Sequence, residues 1–152
     1  MDSPREPSYR TLSRAEIDEL LARHNVGRIA YAFRDRVDIE PINYVYQDGW
    51  IYLRTAPGSK LNTLARHPWV AFEVDEVDGT FDWRSVVVHS TAYELTPGGT
   101  EAQHASYAKA VEVLRSLIPE TFTVEDPAPA RTVIIRMKVD EVSGRASSTS
   151  AG

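Results

Sequence analysis

Cysteine is absent from this 152-residue chain, which excludes disulfides, zinc–thiolate centres, iron–sulfur clusters and thiol catalysis, and nothing calls for an oxidising compartment. No stretch approaches the ~20 apolar residues of a membrane-spanning helix, and the opening MDSPREPSYR lacks the apolar centre of a secretion signal. Positive charge is scarce as well. With 17 Lys and Arg against 22 Asp and Glu, the net charge of -5 disfavours a nucleic-acid partner, because gripping phosphates requires a basic face. The four histidines form no HxxxH or HExxH pair, so no metal site is legible, and neither a GxSxG elbow nor a GxxxxGK[ST] phosphate loop occurs. The acidic run DEVDGTFD lacks oxygen ligands at alternating positions, with Val77 where one should stand, and reads as a solvated hairpin loop rather than a calcium site. What these absences leave is a cytoplasmic protein whose 42% hydrophobic content fills one core.

The residues present are ordered as a β protein with helices inserted. Residues 1–10 and 143–152 are polar or small and read as flexible ends around a single domain over residues 11–142. LSRAEIDELLARHNVG carries a capping box, Ser13 followed three residues later by Glu16, and an apolar stripe of Ile17, Leu20 and Leu21, with Gly27 as the helix stop. GRIAYAF, VDIEPINYVY and WIYLRT then read as strands, the last two joined by Asp48-Gly49 in a tight hairpin. WVAFEVD alternates Val70, Phe72 and Val74 against Ala71, Glu73 and Asp75, and VDGTFDW reads as the loop before a long strand, WRSVVVHSTAYEL, that TPGG ends. A helix over residues 100–118 presents Ala108, Val111, Leu114, Leu117 and Ile118, and IPETFTVEDPAPA is a connection. RTVIIRMKVDEV closes the sheet, with Val133, Ile135, Met137 and Val139 facing in and Arg136, Lys138 and Asp140 on a wet face. Six or seven strands and three helices in this order point to a closed or nearly closed antiparallel barrel.

LRTAPGSKL, residues 53–61, offers the parts of an anion site: charge from Arg54 and Lys60, hydroxyls from Thr55 and Ser59, clearance at Gly58, and the start of a short helix that Pro68 ends. The same residues serve equally as an ordinary exit from a sheet, with Ser59 as an N-cap. His24 and His67 fall in the last turns of the expected helices, where a cation suits the helix dipole. His89 lies on a strand and is a candidate to hydrogen-bond a substrate or donate a proton.

From about Leu12 to Val142, the ordered series GRIAYAF, PINYVYQDGWIYLRTAPGSKL, WVAFEVD and WRSVVVHSTAYEL resembles the pyridoxamine 5′-phosphate oxidase-related, FMN-binding split-barrel family, in its small nitroimidazole-resistance-like branch. The resemblance implies a mainly β, split-barrel homodimer with FMN at the subunit interface, passing hydride or electrons from a reduced nicotinamide-type donor to a small organic acceptor. It implies phosphate roles for Arg54, Ser59 and Lys60, with Thr55 and Leu61 beside the flavin. Backbone groups around Ile42 and Asn43 would meet the polar edge of the ring, and Trp83 and Ser85 would reach it from the partner subunit. The chain departs from the family where His89-Ser90 follows the VVV run in place of a glycine-containing pair. It also lacks the early Arg and the basic C-terminal motif of the true oxidase, which speaks against vitamin B6 oxidation. Members of the superfamily also bind F420 or haem, and a non-catalytic flavin or haem carrier is the alternative to an enzyme.

Overall fold

The computed structural model describes residues 5–62 and 68–149. Chain order is β1 (Ser8–Thr11), α1 (Arg14–Arg23), β2 (Val26–Phe33), β3 (Arg36–Gln47), β4 (Trp50–Thr55), β5 (Trp69–Gly79), β6 (Asp82–Thr91), β7 (Tyr93–Leu95), α2 (Glu101–Arg115), β8 (Val133–Lys138) and β9 (Glu141–Ser148). The fold is mainly β and antiparallel, a split barrel, with strand order β1-β9-β6-β5-β2-β3-β4-β8-β7. Part of the short helix expected to end at Pro68, and His67 with it, lies outside the described residues. Ser59–Asn62 form a turn.

Local sequence explains most of these elements. Ser13 accepts from the Glu16 backbone while the Glu16 carboxylate accepts from the Ser13 N–H at 3.1 Å, so both halves of the capping box are made. Asp48 and Gly49 take φ of 51° and 82°, the left-handed pair a two-residue hairpin needs, and Gln47 faces Trp50 across it. Val70, Phe72 and Val74 point into the main core as their alternation requires.

Several expectations are corrected. Gly27 does not stop α1, which ends at Arg23. It lies in β2, where a Cβ would sit 2.3 Å from the Phe72 ring, so the glycine serves close packing. Parts of the expected flexible ends are strand, Ser8–Arg10 in β1 and Ser143–Ser148 in β9: β9 pairs with β6 on one side and with β1 on the other. Within SGRASS, Gly144 serves close packing; a Cβ there would come within 2.9 Å of Leu12 and Ile17. The chain therefore has nine strands among the described residues rather than six or seven. The expected loop VDGTFDW is mostly hairpin strand, with a register shift between Val77 and Gly79.

The sheet has two cores. Its inner face encloses Leu20, Leu21, Ile29, Tyr44, Phe72 and Met137 among others. A second cluster, Tyr52, Ala110, Val113, Leu114 and Ile134, lies between β4, β8 and α2. The face of β8 expected to be wet is thus covered at Ile134, and α2 buries Ala110 and Val113 while Ala108 stays exposed. β4 is consequently buried from Ile51 to Thr55, which fixes the strand that ends in the candidate site.

Candidate functional site

The site is set by where β3 changes partner. From Arg36 to Asn43 it pairs with β2; from Tyr44 to Gln47 it pairs with β4. On its other edge β4 pairs with β8 along its whole length, from Trp50 opposite Lys138 to Thr55 opposite Val133, so beyond Leu53 it runs on with β8 alone. The two strands therefore part at Tyr44 and Leu53. Among the described residues no strand pairs with the freed edge of β3, which presents backbone N–H and C=O groups around Ile42 and Asn43 to the gap.

The turn after β4 closes the far side of this split. Thr55 and Ser59 hydroxyls lie 2.9 Å apart, and Ser59 Oγ accepts from the Asn62 N–H at 3.1 Å. Gly58 has φ of 76° with open space where a Cβ would stand, and its N–H donates to Asn62 Oδ1 at 3.1 Å. Lys60 reaches across the split, its Nζ 3.3 Å from Asp38 Oδ2 on β3. Leu61 is buried in the main core and anchors the turn.

Arg54 is placed elsewhere. Even-numbered residues of β4 point toward α2 and the connection after it, and Arg54 follows Tyr52 to that side. Its guanidinium grips Asp126 through Nη1 at 3.2 Å and Nη2 at 2.6 Å, and donates to the carbonyls of Arg131 and Ala128. The ring of Phe122 lies 4.6 Å from its Cζ. The guanidinium holds the Asp126 carboxyl far below the ordinary aspartate range, with the Phe122 and Ala128 N–H groups helping. Arg54 thus fastens the connection to the sheet, and of the two cations expected at the turn only Lys60 faces the split. The cavity beside Arg54, lined by Asn43, Tyr44 and Leu114 among others, holds about 60 Å³, too little for a flavin ring system.

Trp83 and Ser85 lie on β6, three strands from β3 and so roughly 14 Å away at ~4.8 Å per strand. Trp83 packs against Tyr9 with ring centroids 6.3 Å apart. Ser85 donates to Glu73 at 3.3 Å, and Arg28 lies 3.3 Å from Glu73 and 3.5 Å from Asp75. Burial, then the neighbouring Asp75 carboxylate, push the Glu73 carboxyl up to about 7. Within one chain these residues do not converge with the turn. His89 is exposed on the same face, opposite Ala71 and Glu141, and lies with Trp50 and Trp69 along a separate groove. His24 caps α1, 3.1 Å from Glu76, and His104 contacts the Pro97 carbonyl at 2.9 Å. Among the described residues no cluster of three metal-ligating side chains occurs, and no helix is long and apolar enough to cross a membrane.

Asp126 is the residue that sequence reading missed. It stands 72 positions from Arg54, in a Pro-rich connection with no periodicity to mark it.

A split antiparallel barrel with a polar turn at the split defines a class of protein, and the comparisons agree. The pyridoxamine 5′-phosphate oxidase family model matches residues 13–146, and the chain belongs to that family. It is similar to the crystal structure of an FAD-binding protein from Mesorhizobium loti, at 29% identity and a TM-score of 0.69, covering 92% of this chain and 98% of that one. It is also similar to the FAD-binding protein of Mycobacterium smegmatis, at 28% identity and a TM-score of 0.64, covering 90% and 99%. An uncharacterized protein of Rhizobium meliloti (strain 1021) is 30% identical over 86 residues; the match spans 57% of each chain.

Proposed function

We propose that this chain is a flavin-binding protein, working as a cytoplasmic homodimer, that holds the flavin phosphate at the Thr55–Lys60 turn and acts as an oxidoreductase. The observation that carries this is the split between β3 and β4, which ends on Lys60, Ser59 and Thr55 with clearance at Gly58. Lys60 supplies the cation. Its partner Asp38 keeps the ammonium over the gap, and because that ion pair is exposed a phosphate displaces it at little cost. The Ser59 and Thr55 hydroxyls are already aligned by their mutual hydrogen bond and can turn their lone protons toward an anion. The unpaired edge of β3 at Ile42 and Asn43 offers backbone donors and acceptors to the polar edge of a ring.

When bound, a flavin supplies hydride and electron transfer through its ring, while the protein contributes position and electrostatics. FMN is the proposed form, since the turn offers one phosphate cradle; the two similar solved structures are of FAD-binding proteins, so FAD is titrated beside it. Trp83 and Ser85 reach the site only if a second chain brings them. The donor is a reduced nicotinamide-type compound and the acceptor a small organic molecule.

The test is reconstitution of the purified chain with FMN, FAD and F420, read by the visible spectrum and then by NADH- or NADPH-driven turnover. FMN bands and turnover are expected. Lys60→Ala should weaken FMN about 10- to 100-fold, the ~1.5–3 kcal/mol of a charge-assisted contact, with an unchanged melting temperature. A chain that takes up no flavin, or a Lys60→Ala variant of undiminished affinity, would refute the site.

A further inference from the structure

We propose a second binding site, separate from the flavin turn, in the groove where Trp50, Trp69, Tyr93, His89 and Arg136 meet, and that it takes a planar aromatic monocarboxylate. Its five named residues come from five strands, β4, β5, β7, β6 and β8 respectively, so the barrel wall itself builds it. Trp50 and Thr55 stand at opposite ends of β4, roughly 17 Å apart at ~3.3 Å per residue, which sets this groove well away from the Lys60 turn.

The groove has the size of a small-molecule site, about 500 Å³. Its walls are aromatic and its key cation is already shelved on one of them: the Arg136 guanidinium carbon lies 4.2 Å from the Trp50 ring centroid. Stacking fixes the plane of the fork. Arg136 Nε is buried and has no hydrogen-bond acceptor, although a guanidinium edge of Nε–H and Nη–H suits the two oxygens of a carboxylate. Trp69 is 59% exposed and Tyr93 39% exposed, large apolar surfaces at the mouth that an aromatic ring would cover.

The remaining charges narrow the ligand. Lys138 is 3.5 Å from Asp140, and Glu141 lies beside His89 on the adjacent strand, so two carboxylates border the same groove as the two cations. That balance repels a polyanion such as a nucleoside triphosphate while leaving the shelved Arg136 for a single carboxylate. The aromatic rings disfavour a purely aliphatic acid for the same reason that they are costly to leave wet.

Isothermal titration calorimetry of the full chain tests this, with 2-naphthoate as probe, 2-naphthylmethanol as its neutral counterpart and acetate as the ringless one. Saturable 2-naphthoate binding is expected, weakened about tenfold or more by loss of the carboxylate or by Arg136→Gln, with acetate giving no saturation. Trp69→Ala, a surface change, should weaken binding as well, and it carries the test if Arg136→Gln fails to fold. Lys60→Ala should leave 2-naphthoate binding intact even if flavin uptake is lost, which separates this site from the flavin reading. The absence of saturable heat to millimolar probe, including because a second copy of the chain covers the groove, would overturn the proposal. So would unchanged affinity in either groove variant.

Discussion

Arg54 and Asp126 form a buried ion pair, 2.6 Å from Nη2 to Oδ2, between β4 and a connection 72 residues later. Both side chains are almost wholly removed from solvent, at 6% and 2% exposure. Asp126 also accepts from the Phe122 N–H, and Phe122 holds the left-handed φ of 60°, unfavourable for an aromatic residue. The pair thus fixes a segment that has no secondary structure of its own.

Removing one partner leaves an uncompensated buried charge. Arg54→Ala should lower the melting temperature by on the order of 10 °C. Because the Asp126 carboxyl is held below its ordinary range, the stability it gives is present at neutral pH and disappears only as the pH falls below that of a free aspartate. Thermal unfolding of wild type and Arg54→Ala at pH 7 and pH 3 should therefore show the gap shrinking on acidification.

Glu73 behaves in the opposite sense. Its carboxyl is raised from 4.5 to about 7 in the folded chain, so between those values the native state binds more protons than the unfolded one. Stability from this group is full below about pH 4.5, declines as the pH rises through the window and is lost above 7. Glu73→Gln should flatten the melting-temperature profile across that window and melt higher than wild type at pH 8. A profile identical to wild type would show that Glu73 is ionised normally.

Gly27 leaves no room for even a methyl group, since a Cβ would overlap the Phe72 ring at 2.3 Å in the centre of the main core. Gly27→Ala should destabilise by about 1–3 kcal/mol, measured by urea unfolding, and Phe72→Leu in the same chain should recover part of it.

The outer face of β2, β3 and β5 carries Val37 and Ile39 at 80% and 66% exposure beside Ala30 and Ala71. We propose this exposed apolar face as the surface of the homodimer, which makes it sensitive to charge. Ile39→Glu is expected to convert a dimer to a monomer in sedimentation velocity while leaving the circular dichroism spectrum intact, and to weaken flavin binding with it. A variant that stays dimeric would place the interface elsewhere.

The sequence by itself determined the elements whose signals are local. The Ser13–Glu16 capping box, the Asp48-Gly49 hairpin and the alternation of Val70, Phe72 and Val74 each depend on neighbours within a few residues, and each was legible as such. Tertiary structure alone decided the rest. SGRASS reads as a flexible end because its residues are small, yet it is strand because β6 and β1 pair with it, and its Gly144 leaves room for Leu12 and Ile17. Ile134 shares a strand face with Arg136 and Lys138, which alternation reads as wet, and it is dry because α2 covers it. The same holds at the candidate site: Lys60, Ser59 and Thr55 share one turn because they are neighbours in sequence, whereas the fate of Arg54 depended on Asp126, a partner that no spacing along the chain could announce. Backbone preferences act over single turns and are written in order along the chain; the burial of a charge depends on which distant segment the fold brings to meet it.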